Sequence, residues 1–143
     1  MRIWMNLSLV AALAGLGACA RLPHPRAEVC PDTSFQIYFE PDSAALTDEG
    51  LAVVATAAAG ARSCRVDGVQ VLGLADAAGS PQANLALSQA RAAAVSRALA
   101  ANGLPAARFD EVAAGQAGAV TPAGDLRPLR RRVDVTLALS PPR

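Results

Sequence analysis

The residues best placed to do chemistry are an acid and a guanidinium in one stretch, residues 73–102, GLADAAGSPQANLALSQARAAAVSRALAAN. Asp76 ends a strand, Gly79 and Ser80 turn the chain, and a helix follows that carries Arg91 about three turns further on. At about 100° per residue, Leu87, Ala94, Val95, Ala98 and Leu99 share one face, and Arg91 falls inside that apolar stripe with Asn84 and Ser88 on the same side. A guanidinium directed inward needs a partner, because an unpaired buried charge costs several kcal/mol. Two partners are open to it: Asp76 itself, or a carboxylate brought in by a ligand.

The elements that would hold this pair are legible in order. Residues 34–39, SFQIYF, alternate Phe35, Ile37 and Phe39 against Ser34, Gln36 and Tyr38, as a half-buried strand does. Residues 40–43 form a turn, and Thr47-Asp48-Glu49-Gly50 starts a helix with acids placed to suit its dipole; the helix runs through Leu51, Val54, Ala55 and Ala58 to about Ala61. Residues 65–74 read as a second, deeper strand through Val66, Val69, Val71 and Leu72. After the long helix, Asn102-Gly103 with Pro105 is a stop signal. Residues 109–114 are a short third strand, 115–125 a Gly/Pro loop, and 131–139 a last strand with Val133, Val135, Leu137 and Leu139 alternating. The expected fold is α+β, two layers in the order β-α-β-α-β-β, with the helices packed on one face of a small mixed sheet.

Composition narrows the partners. All 13 basic residues are arginine, the formal net charge is +1, and aromatic residues make up 3% of the 143. Loss of Arg2 with a leader would leave the remainder neutral, so long-range steering to nucleic acid or to an anionic membrane is not expected. The length allows one domain with short extras.

Residues 1–18 carry one positive charge and an apolar run over 7–16, too short to span a bilayer and laid out as a secretory leader. Its end, Leu16-Gly17-Ala18-Cys19, resembles the lipobox of bacterial lipoproteins. That resemblance implies cleavage before Cys19, a diacylglyceryl thioether and an N-acyl chain on it, and, with Ala20 next, residence at the outer membrane with the domain in the periplasm. An ordinary leader followed by a chance cysteine is the alternative. Residues 19–33 then form a tether punctuated by Pro23, Pro25 and Pro31, able to reach on the order of 40 Å as extended polyproline; His24, the sole histidine, belongs to it. With Cys19 lipidated, Cys30 and Cys64 remain as an even pair in an oxidising compartment. They either form a bridge, contributing roughly 3 to 4 kcal/mol, or stay two separate small core residues.

Three stretches within residues 34–140 together resemble the OmpA-like peptidoglycan-binding domain family, in its lipoprotein form. Residues 37–46, IYFEPDSAAL, are similar to its aromatic-acid-x-x-Ser-x-x-Leu opening. Gly73-Leu74-Ala75-Asp76-Ala77-Ala78-Gly79-Ser80, followed by Asn84, Leu87-Ser88 and Arg91-Ala92, is similar to its G-H-T-D-x-x-G-S and N-x-x-L-S-x-x-R-A signature. Arg127 with Arg130-Arg131-Arg132-Val133 is similar to its closing G-R-x-x-N-R-R-V.

The resemblance implies non-covalent binding of peptidoglycan through the diaminopimelate of its stem peptide. Asp76 would hold the ligand ammonium and Arg91 its carboxylate, with Asp76 partnering Arg91 while the site is empty. By motif position Asn84, Leu87, Phe39, Glu40 and Arg131 would line the same pocket. Leu74 and Ala75 stand where the family commonly has histidine and threonine, Leu126 replaces a glycine and Arg130 an asparagine. A wall-binding lipoprotein is the first expectation. A subunit of a Tol-type or secretion assembly that keeps the fold and has weakened or lost wall binding is the second. No cofactor or metal is expected, and an enzyme is disfavoured by the absence of a usable histidine, a spare cysteine or a Ser/His/Asp set.

Overall fold

The computed structural model describes residues 29–125 and 130–142. The leader, Cys19, most of the tether with His24, and Leu126 and Arg127 of the family signature lie outside the described residues.

The chain runs β1 (Thr33–Tyr38), α1 (Asp48–Gly60), β2 (Arg65–Gly73), α2 (Pro81–Ala101), a single 3-10 turn (Ala106–Arg108), β3 (Phe109–Ala113) and β4 (Arg132–Ser140). The sheet order is β1-β4-β2-β3, with β2 and β3 parallel and β4 antiparallel to both β1 and β2. β1, β2 and β3 therefore point the same way. Each helix connects two of them, both connections advance across the sheet in the same sense, and the right-handed rule for such crossovers puts both helices on one face. The other face stays open, with Ser34, Gln36 and Tyr38 exposed on it.

Inward-facing residues of neighbouring strands fall in register: Ile37 opposite Val133, Phe35 opposite Val135, Val135 opposite Val71, Leu137 opposite Val69. With Val54, Val95 and Leu99 from the helices they form the core. Thr47 caps α1, its hydroxyl accepting the Gly50 N–H at 3.1 Å, and Asp48 and Glu49 occupy the first turn. Ser80 caps α2 through the Ala83 N–H at 3.2 Å, with Pro81 at the first helical position.

The buried line of α2 is Asn84, Ser88, Arg91, Ala92, Val95, Ser96 and Leu99, while Leu87, Ala94 and Ala98 are half-buried. This is a rotation from the expected stripe, and Gly73 explains it. A Cβ on Gly73 would stand 2.1 Å from the Ser88 carbonyl oxygen and 3.2 Å from the Ala92 Cβ. The helix sits down onto the strand at that point, so small residues occupy the contact and larger ones move to its flanks.

Cys30 and Cys64 form a disulfide with a Cα–Cα distance of 5.8 Å, fastening the chain just before β1 to the turn between α1 and β2. The strand directions place this bridge, the helix C-termini and Pro142 at one pole. The helix N-termini, the C-terminal ends of β1, β2 and β3, and the start of β4 lie at the other, roughly 30 Å away along the nine-residue β2.

Candidate functional site

Arg91 is fully buried, at 0% exposure. Its Nε donates to the Ser43 carbonyl at 2.8 Å, Nη1 to the Leu74 carbonyl at 3.3 Å and Nη2 to the Glu40 carbonyl at 3.0 Å. The guanidinium carbon lies 5.2 Å from the centre of the Phe39 ring, within cation–π range. Local sequence supplies these acceptors. Pro41 and Asp42 are the central residues of a turn closed by the Ser43 N–H and the Glu40 carbonyl at 3.3 Å, with Asp42 at φ 51, the proline and positive-φ pattern of a type II turn. That turn aims the Glu40 and Ser43 carbonyls inward, and β2 delivers the Leu74 carbonyl from the other side. Burial pushes the Arg91 pKa down; the Asp76 charge opposes this, Arg131 adds to it, and Asp42 opposes it.

The structure overturns the expected pairing of Asp76 with Arg91 in the empty site. Asp76 pairs with Arg131, Oδ2 to Nη1 at 3.2 Å, and both side chains are partly exposed, at 25% and 32%. The physical reason is the meeting of three strand ends. Phe39 N–H bonds to the Arg131 carbonyl at 2.9 Å and Leu74 N–H to the Arg132 carbonyl at 3.0 Å, so β4 begins wedged between β1 and β2. Leu74 and Ala75 point into the core at 3% and 0% exposure, and Asp76, one residue beyond, emerges beside Arg131. Backbone carbonyls already surround Arg91 beneath. Asp76 Oδ1 also accepts the Ala78 N–H at 3.2 Å, bracing the turn that leads to α2.

The other expected residues divide. Phe39 is buried under Arg91. Glu40 contributes its carbonyl to Arg91, and its side chain is exposed. Leu87 is half-buried. Asn84 is 4% exposed and its amide is committed to Gln116 Oε1 at 2.7 Å. The arginine run at the start of β4 separates: Arg130 donates to the Ala117 carbonyl, Arg131 reaches Asp76, and Arg132 binds Asp134 at 2.7 Å. Of the three, Arg131 meets the site. Its Nε is buried without a hydrogen-bond acceptor.

Gln116 and Asp42 are site-building residues outside the motif positions, and Ser43, the serine of the opening motif, acts through its backbone carbonyl and was not expected at the site. Gln116 belongs to a loop strapped onto α2: Gly115 N–H bonds to Ser88 Oγ at 3.0 Å and Ala75 N–H to the Gly115 carbonyl at 2.8 Å. Gly115, at φ 53 and with a Cβ position 3.3 Å from the Leu85 backbone, was the available signal. Among the described residues no group of His, Cys, Asp and Glu is placed to hold a metal. The site presents one carboxylate and one partly exposed guanidinium in contact, with a second, fully buried guanidinium close enough for its charge to respond to both.

The OmpA family profile matches residues 38–128, more than half of the chain. The crystal structure of the peptidoglycan-associated lipoprotein from Burkholderia pseudomallei is similar at 30% identity, covering 72% of this chain and 89% of that one, with a TM-score of 0.62. The cell wall anchor of the T6SS from Pseudomonas aeruginosa is similar at 26% identity over 76% of this chain and 82% of that one, TM-score 0.62. The OmpA-like domain of FopA1 from Francisella tularensis subsp. tularensis SCHU S4 shares the fold at 20% identity, 76% coverage of each chain and TM-score 0.66. No curated protein matches the chain significantly. With the matched region spanning β1's last residue to the threshold of β4, the chain belongs to the OmpA family.

Proposed function

We propose that this domain binds peptidoglycan non-covalently through the zwitterionic end of diaminopimelate, and that acyl chains on Cys19 hold it to the outer membrane, so that the protein links membrane to wall. The observation that carries the reading is the partly exposed Asp76–Arg131 pair within electrostatic reach of buried Arg91. A ligand carrying an ammonium and a carboxylate on one carbon can replace that internal pair. Its ammonium takes Asp76, and Arg131, released, turns to its carboxylate. The three carbonyl bonds of Arg91 use three of its five N–H groups. One N–H on each terminal nitrogen lies outside those three bonds, and on this reading it adds to the hold on the same carboxylate once Arg131 has turned. Asp76 and Arg131 each face an opposite charge before and after, and Arg91 keeps its three carbonyl bonds throughout, so the exchange avoids the cost of a bare ion. Two relatives whose own names tie them to peptidoglycan and to a cell wall anchor support the reading. So does the placement of the site at the pole opposite Cys30, where the chain arrives from its tether.

This is a binding module and not an enzyme. Sedimentation of the purified protein with wall sacculi, reversed by free diaminopimelate, is the expected result. A second reading draws on Leu74 and Ala75, whose core-facing apolar side chains provide no polar contact where the family commonly has histidine and threonine. On that reading the domain is a structural subunit of a Tol-type or secretion assembly. No sedimentation at any concentration would replace the first reading with the second.

A further inference from the structure

The pole at which the chain enters carries a cleft of about 490 Å³, walled by the end of α1, the start of β2 and the turn after α2. Arg62, Arg65 and Arg108 line it, and no carboxylate does. The same three arginines line an adjoining hollow that reaches Pro142, so they form a ridge open on both sides. Arg65 is partly engaged, its Nε 2.8 Å from Asp67 Oδ1 and 3.1 Å from Ser140 Oγ. Arg62 and Arg108 are exposed and form no ion pair with a described residue. The C-termini of α1 and α2 end here, each worth about half a negative charge. With Asp67 they offset part of the arginine charge, and Arg62 and Arg108 stay outside any ion pair with a described residue. Asp32 and Asp110 stand on or beside the strands, outside the cleft lining.

The position of the ridge says what it faces. Cys64, bonded to Cys30, lies in sequence between Arg62 and Arg65, so the chain leaves toward residue 29 and its predecessors from the middle of the arginine cluster. We propose that the Arg62/Arg65/Arg108 cleft seats the phosphate groups of anionic phospholipid in the membrane to which the chain is tethered, holding the domain with Asp76 turned away from that surface. Guanidinium forks match phosphate oxygens two at a time. The near-neutral total charge removes long-range steering, so the attraction acts within a Debye length of about 8 Å. It does not need to be strong. A tether of about ten residues reaches roughly 31 Å and keeps the cleft at millimolar effective concentration over the lipid. This rests on the proposed lipid anchor at Cys19 for its tether and is independent of wall binding.

The test uses the full mature chain, oxidised and made soluble by Cys19→Ser, mixed with vesicles of phosphatidylglycerol and phosphatidylethanolamine or of phosphatidylcholine alone. Partition onto the anionic vesicles, fading as salt is raised, is expected. Arg62→Gln with Arg108→Gln should weaken it about 25-fold, at the usual contribution of a basic residue near an anionic surface, with melting unchanged. Equal partition onto both vesicle types overturns the proposal. So does a double variant that binds as the parent does, which would assign the attraction to Arg21 and Arg26 of the tether. Sedimentation of the same proteins with sacculi is scored separately: its loss in the parent would sink the wall reading and leave the lipid result standing.

Discussion

Replacing Arg91 by methionine removes a charge from the core while keeping most of the side-chain volume. Three backbone carbonyls, of Glu40, Ser43 and Leu74, each lose a charged donor at 2.8 to 3.3 Å. At about 1.5 kcal/mol each, the low end for bonds to a charged group, the gross loss is about 4.5 kcal/mol. Relief from burying the guanidinium returns some of it, leaving a net loss of about 3 kcal/mol, a large part of the stability of an ordinary domain. For a domain near 100 residues that lowers the melting temperature by about 12 °C. Asp76→Ala should behave differently, because Arg91 is held by three backbone carbonyls and not by Asp76. It breaks a partly exposed pair at 3.2 Å and one turn bond to Ala78, together worth about 1 kcal/mol, while removing the group proposed to hold the ligand ammonium. Thermal and urea unfolding of both variants with the disulfide intact, beside sacculus sedimentation, separates the two effects. The reasoning fails if Arg91→Met unfolds within 1 kcal/mol of the parent, or if Asp76→Ala loses as much stability as Arg91→Met.

Further outcomes follow from other parts of the molecule. Reducing the Cys30–Cys64 bridge, which closes a separation of 34 residues, should cost about 4 kcal/mol by loop entropy; an unchanged urea midpoint in reductant would contradict this. Gly73→Ala puts a methyl group 2.1 Å from the Ser88 carbonyl, so α2 must lift from β2, and a loss of at least about 3 kcal/mol is expected in unfolding experiments; a variant as stable as the parent would show that the helix does not sit where described. A hydrogen bond from Ser140 and the charge of Arg65 hold the Asp67 carboxyl below its ordinary value of 3.8. A carboxyl lowered on folding stabilises the fold above that value and ceases to do so as pH falls through its folded pKa. Acid titration of stability should therefore lose a component below pH 3.8 that Asp67→Asn abolishes; identical acid limbs for parent and variant would exclude it.

Much of the fold was readable along the chain because its signals are local. Period-two alternation marked β1 and β4, the Thr47 entry and the Gly79-Ser80 turn marked both helix starts, and Asn102-Gly103 marked the end of α2; the structure moves these boundaries by no more than about two residues. The inward direction of Arg91 was readable for the same reason, since a helix converts spacing into direction. The membership of Asp76, Arg91 and Arg131 in one neighbourhood came from their likeness to a family pattern.

The partner of each charge was decided only by tertiary structure. Asp76 and Arg91 are close enough for their charges to be felt, but which acceptor a guanidinium takes depends on atoms from three separate segments. The Pro41-Asp42 turn, the end of β2 and the first residues of β4 meet at that point, and no spacing within one segment encodes the meeting. The clasp of Gln116 on Asn84 and the clustering of Arg62, Arg65 and Arg108 around a cleft belong to the same class. A periodic pattern fixes which way a side chain faces. What it touches is set by where another part of the chain comes to rest, and here that was set by a glycine that let α2 close onto the sheet and by a last strand that slid between the first two.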